Sequence, residues 1–185
     1  MSIVNRLPKL SQIIPVYAVI VMMIYGWSIY WFIWEVPSWL YFLSLVDILR
    51  IYAYTLSVNF IESLVVLLLL LLICVILPKK WFYESFIVRG SILVVLLLGY
   101  LMYFSNLFKS FAEEDYPRTL INWMPVILIA IVLLVFVVGK IRILSSIVED
   151  FSSRAVIFLY ISIPTSIFSL FYVVIRNVFW RYLNG

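Results

Sequence analysis

Five long apolar runs constrain the fold of this chain more than any other feature of its sequence. They cover residues 13–34, 60–77, 86–104, 121–139 and 155–175, and each is 18 to 22 residues long. At about 1.5 Å per residue, a helix of that length crosses a hydrocarbon core of about 30 Å. The runs therefore predict an all-α integral membrane protein, a bundle of five transmembrane helices that forms a single multi-pass domain over residues 1–185.

The composition agrees with a lipid environment. Apolar residues make up 66% of the 185 residues and charged residues only 12%, whereas soluble domains are about half apolar. A soluble fold with this composition would expose large apolar patches to water. In a bilayer the outer surface of the fold can be as apolar as its core, so the same composition is tolerated.

The basic residues predict the orientation of the bundle. With five spans and the N-terminus inside, eight of them fall on the inner side and five on the outer side. Because inner loops are enriched in positive charge, we expect the N-terminus inside, the C-terminus outside and an uncleaved first span in the plasma membrane. The inner residues are Arg6, Lys9, Lys79, Lys80, Arg89, Lys140, Arg142 and Arg154, and the outer ones are Arg50, Lys109, Arg118, Arg176 and Arg181.

Residues 38–57 are the ambiguous part of the chain. They are apolar enough to enter a membrane but carry Asp47 and Arg50 at their centre, and residues 57–59 leave little room for a reversal before the next run. We interpret 38–57 as an outer interfacial or re-entrant helix. A sixth full span is the alternative, although it would move the basic pairs of the later loops to the outer face.

Residues 141–153 predict a second helix outside the five spans. Apolar residues recur there at helical spacing, and Ser146 and Glu149 have the spacing of a capping box. The opposite face is polar. The pattern predicts a short amphipathic helix on the cytoplasmic surface.

Asp47 and Arg50 form the first candidate functional pair. On a helix they lie on one side, one turn apart. Charged residues at membrane depth are costly and often mark functional sites. An ion pair within one helix would also make an interfacial helix tolerable, and both interpretations remain open because the depth of this segment is not known from the sequence.

Glu62 is the second candidate, since it lies just inside an apolar run. A carboxylate there must be protonated, paired or in contact with water. On one continuous helix Arg50 would be about 18 Å away, so the two can pair only if the chain turns before Asn59. Arg118 and Arg176 are the other possible partners. The interpretations are structural pairing between helices and a proton- or ion-handling site.

A row of hydroxyl side chains on the fifth run is the third candidate. Ser162, Thr165, Ser166 and Ser169 share one helical face around Pro164. Small hydroxyl residues allow helices to approach closely and to form hydrogen bonds with each other. The row predicts either a packing face or the lining of a path for a substrate or an ion.

Several classes of function are disfavoured by what the sequence lacks. The chain has no histidine and one cysteine, Cys74, so the common catalytic dyads and metal-ligand clusters are missing. We find no phosphate-binding glycine loop and predict no cofactor and no bound metal. The basic residues stand singly or in pairs at the ends of apolar runs, which is typical of headgroup contact and not of nucleic-acid binding.

The sequence therefore favours a small non-catalytic membrane subunit or scaffold. Its expected partners are membrane lipids and either other membrane-protein subunits or further copies of itself. The alternative is a small transporter or channel component that uses Glu62 and the hydroxyl face of the fifth span. A membrane enzyme that acts on lipid is the less favoured third hypothesis.

Overall fold

The architecture is that of a computed structural model, which describes residues 8–76, 85–110 and 118–184. These residues form five helices and no strand. The helices are α1 (Leu10–Trp39), α2 (Leu45–Ile76), α3 (Phe86–Ser110), α4 (Arg118–Lys140) and α5 (Arg142–Asn184). All five are long and apolar enough to cross a membrane, so the predicted helical class is confirmed.

Helix α1 lies at the centre of the bundle and packs against α2, α3 and α5. Its residues 15–21 are buried without exception, so no side of this stretch faces the surroundings. A helix that is apolar all round suits such a position, because every face meets another helix. Helix α4 lies at the edge of the bundle, against α3 and α5.

Helix α3 comes close to α1 and α2 at Gly90. A Cβ atom built on Gly90 would lie 3.3 Å from Cγ1 of Val16 and 3.6 Å from Cδ2 of Leu70. The missing side chain lets the three helices meet at this level, as small residues commonly do between transmembrane helices.

Hydrogen bonds between side chains connect the helices at several levels. Such bonds contribute modestly in a bilayer, on average about 0.6 kcal/mol each, but they also define how the helices are rotated against one another. The bonds join Tyr17 to Ser63 (3.1 Å), Tyr25 to Ser166, Ser28 to Asn59 (2.8 Å), Tyr54 to Asn177 (3.0 Å) and Ser91 to Ser152 (2.9 Å).

The structure does not show residues 38–57 as a separate interfacial, re-entrant or sixth spanning helix. Residues 45–57 are the first turns of α2, which continues without a break to Ile76. The hydroxyl groups near residue 57 are satisfied within the helix, since Thr55 donates to the carbonyl of Ile51 and Ser57 to that of Ala53. No turn is needed to satisfy them.

The predicted short helix at 141–153 is likewise not separate. Residues 142–153 are the start of α5, which runs on to Asn184. Ser146 lies inside this helix and does not cap it, and the hydroxyl of Ser152 bonds to the carbonyl of Val148. No proline or glycine interrupts the chain here, so the helix continues into the last apolar run.

Three of the helices are much longer than a bilayer core requires. At 1.5 Å per residue, α1, α2 and α5 measure about 45, 48 and 65 Å, against a core of about 30 Å. The hydrogen bond from Tyr54 to Asn177 places the C-terminal part of α5 beside the early part of α2. The end of α1, the start of α2 and the C-terminal part of α5 therefore lie at the same end of the bundle.

Candidate functional site

Asp47 and Arg50 form a local ion pair at the start of α2. Nη1 of Arg50 lies 2.7 Å from Oδ1 of Asp47, and the two side chains are 41% and 40% exposed respectively. The hydroxyl of Ser44 donates to the same carboxylate at 2.6 Å, and the backbone N–H of Asp47 donates to that hydroxyl at 3.2 Å. Ser44 therefore caps the start of α2 through the backbone N–H of Asp47. The geometry gives the pair a structural role at a helix end.

The hydroxyl row of α5 divides into buried and exposed members. Ser162 and Ser166 are buried, Ser169 is half-buried and Thr165 is exposed. Ser166 bonds to the hydroxyl of Tyr25 on α1, while Ser162 and Thr165 donate to carbonyl groups of their own helix. The buried members of the row therefore pack α5 against the centre of the bundle.

Glu62 lies near the middle of α2, about 26 Å along the axis from Leu45 and about 21 Å from Ile76. Its side chain is exposed. Among the described side chains it has no hydrogen bond or ion pair. Because α2 is continuous, Arg50 is out of reach, and Arg176 lies over the ring of Tyr54 at 5.9 Å. The side chain of Arg118 lies outside the described part of the protein.

Glu62 lies where two grooves on the surface of the bundle meet. Both grooves are lined by Trp27, Ser28 and Glu62. We call the first, of about 350 Å³, the apolar groove; its other lining residues are Ile24, Ile61, Val65, Val66, Leu98 and Met102. We call the second, of about 640 Å³, the polar groove; its other lining residues are Ile51, Tyr54, Thr55, Val58 and Asn59.

The two grooves follow the helix axes in opposite directions from Glu62. The residues of the polar groove precede Glu62 on α2 and so lie nearer the connection between α1 and α2. A third groove, of about 320 Å³, extends further that way along α1 and carries Glu35. The rings of Phe32 and Tyr52, with centroids 4.9 Å apart, hold α1 and α2 together at this level.

Asn59 has an unusual environment within the polar groove. Its side chain is only 3% exposed. Its Oδ1 accepts a hydrogen bond from the hydroxyl of Ser28 at 2.8 Å, whereas its Nδ2 is buried with no partner in the described part of the chain. An unpaired buried donor costs about 1–3 kcal/mol, so an acceptor for this amide nitrogen would be stabilising.

The grooves are acidic. Glu62 and Glu35 are the acidic residues on the lining, and none of the residues that line the three grooves is a lysine or an arginine. Trp27 lines all three grooves. A carboxylate beside an aromatic face is suited to a positively charged group. Within residues 8–76, 85–110 and 118–184, no cluster of histidine, cysteine, aspartate or glutamate has the composition of a metal site.

Comparison with known proteins does not assign the chain to a family. No family model, no curated protein and no solved structure matches it. The groove around Glu62 and the packing of the helices therefore carry the functional argument.

Glu62 could be predicted as a candidate residue from the sequence, but its surroundings could not. Asn59 and Ser28 were not among the candidate residues, because a polar side chain in an apolar run is compatible with many helix rotations. The sequence does contain a signal for the start of α2. Ser44 and Asp47 have the spacing of a capping box, which predicts that a helix begins at residue 45 and places the Asp47–Arg50 pair in its first turns.

Proposed function

We propose that this protein is a small non-catalytic membrane subunit that acts through contacts with other membrane proteins or lipids. The observation that carries the proposal is the exposed Glu62 in the middle of α2, without a partner among the described side chains. A carboxylate at membrane depth is costly unless it is paired, protonated or hydrated. A molecule from outside the chain that supplies the partner would remove that cost.

The alternative function as a transporter or channel component has less support. It requires Glu62 and the hydroxyl face of α5 to line one path. The grooves around Glu62 are lined by residues of α1, α2 and α3 and include none of the four hydroxyl residues. Ser166 instead bonds to Tyr25 in the buried core, which favours a packing role for that face.

The proposal includes an orientation and a location. We place the protein in the plasma membrane as one multi-pass domain with the N-terminus inside and the C-terminus outside, because basic residues are more numerous on the inner side. In this orientation the connection between α1 and α2, and the polar groove beside it, face outwards. Residues 142–153 of α5 then lie on the cytoplasmic side.

Photocrosslinking from the groove tests the proposal. A photoreactive phenylalanine analogue replaces Val58, which lines the polar groove, or Val132, which is similarly exposed on α4. We expect an adduct of defined mass, a polypeptide or a lipid, from position 58 only. In the Glu62→Gln background its yield should fall about tenfold, the effect of losing about 1.4 kcal/mol of binding.

Equal labelling from both positions, unchanged by Glu62→Gln, would mean that the groove contacts only bulk lipid, and the proposal would then be rejected. Because Glu62 is exposed, the variant should fold normally. Its thermal stability in detergent provides the check.

A further inference from the structure

The size of the grooves around Glu62 suits a small molecule. The apolar and polar grooves have volumes of about 350 and 640 Å³, and sites for small ligands are commonly about 300–1,000 Å³. A helix with its side chains is about 10 Å across and would have to lie over the grooves, since it could not enter either of them. A molecule that fills the grooves is therefore smaller than a helix.

Polar and apolar lining residues lie on opposite sides of Glu62. The apolar groove extends from Glu62 along α2 towards Val65 and Val66. The polar groove extends the opposite way, towards the end of α2 where Asp47 and Arg50 lie. An amphiphile bound along α2 would place its head and its chain in the same two directions.

The charge of the grooves selects the headgroup. Glu62 and Glu35 are the ionisable acids on the lining, and no lysine or arginine accompanies them there. A phosphate would lie beside the carboxylate of Glu62 and be repelled by it. An ammonium group would pair with that carboxylate and contact the face of Trp27, and both interactions are favourable.

Asn59 adds a second requirement. Its buried Nδ2 needs an acceptor, and it lies one helical turn before Glu62, at a Cβ separation of about 5–6 Å. A ligand that satisfies both residues carries an oxygen acceptor a few bonds from its ammonium nitrogen. A hydroxyl next to the amine meets this requirement without adding negative charge.

We propose that the grooves around Glu62 bind a single-chain cationic amphiphile whose ammonium group has a hydroxyl neighbour. Glu62 holds the ammonium, Nδ2 of Asn59 donates to the hydroxyl oxygen, and the alkyl chain lies in the apolar groove. This inference rests on the proposed function, because it names the outside molecule that pairs with Glu62.

Equilibrium binding of tritiated sphingosine to the full chain tests the inference. The protein is held in nanodiscs of phosphatidylcholine, and N-acetylsphingosine, which lacks the charge, and phosphatidylethanolamine, which adds a phosphate, serve as competitors. We expect sphingosine to bind at least about tenfold more tightly than either. Glu62→Gln should weaken its binding by a similar factor.

Two further variants sharpen the test. Asn59→Leu should reduce the preference for sphingosine over the same amine without its hydroxyl. Asp47→Asn removes a carboxylate that lies on α2 but lines none of the three grooves, and it should leave binding unchanged.

Equal binding of the uncharged or the phosphate-bearing competitor would overturn the inference, as would unchanged binding of sphingosine to Glu62→Gln. If sphingosine fails to bind while Val58 crosslinks to a polypeptide in a Glu62-dependent way, this inference is wrong and the proposed function stands. If neither result is obtained, both are wrong.

Discussion

Replacing Ser166 with leucine should be one of the most damaging single changes in the bundle. Ser166 is 0% exposed and lies between α5 and α1, where its hydroxyl bonds to that of Tyr25. Leucine adds two heavy atoms to a closed site and removes the hydroxyl. The helices must then separate, or the side chain must adopt a strained rotamer.

The expected cost combines two effects. Overpacking a core site typically costs about 1–3 kcal/mol, and losing a hydrogen bond between transmembrane helices costs about 0.6 and at most about 1.7 kcal/mol. Ser166→Leu should therefore lower the free energy of unfolding by about 2–5 kcal/mol. Ser166→Ala isolates the second effect. Phe168→Leu, at a position that is 75% exposed, should change the free energy of unfolding by less than about 0.5 kcal/mol.

Reversible unfolding in mixed micelles, followed by circular dichroism as the fraction of denaturing detergent rises, measures these differences. A double-mutant cycle between Ser166→Ala and Tyr25→Phe should give a coupling energy of about 0.6–1.7 kcal/mol. If Ser166→Leu were no more damaging than Phe168→Leu, α5 would not pack on α1 through this face. If the two single changes were simply additive, the hydrogen bond would contribute nothing.

Two other predictions concern the packing of α3 and the orientation of the chain. Gly99→Ala should raise the free energy of unfolding by up to about 1 kcal/mol, since no atom lies within 4 Å of the added Cβ. Gly90→Ala should raise the free energy of unfolding by less, because its Cβ would lie 3.3 Å from Val16. Equal increases for the two variants in the same unfolding assay would contradict the close approach at Gly90. In intact cells, with Cys74 replaced by serine, an impermeant thiol reagent should label Tyr41→Cys, at a side chain that is 85% exposed, and should not label Ser146→Cys; the reverse pattern would invert the proposed orientation.

The five spans could be predicted from the sequence because each depends on local composition. The predicted ranges lie within the five helices wherever the structure describes them. The predictions of separate helices at 38–57 and 141–153 were wrong, because α2 and α5 run through residues 45–57 and 142–153 without a break. In an interior or a bilayer a serine or threonine can return its hydroxyl to a carbonyl one turn earlier, as Thr55, Ser57 and Ser152 do, so such residues do not end a helix.

The positions of the polar side chains were decided by the tertiary structure. Ser166 and Glu62 both interrupt apolar runs, yet one is fully buried and bonded to Tyr25, while the other is exposed. A helix that is apolar on nearly every side has no preferred face of its own, so its rotation is set by the fit against its neighbours. The sequence by itself determined that the chain forms long apolar helices and contains an acid within one of them. Packing against α1 decided that this acid faces outwards, beside Asn59, whose buried Nδ2 has no hydrogen-bond partner among the described residues, because that packing sets which side of α2 is covered.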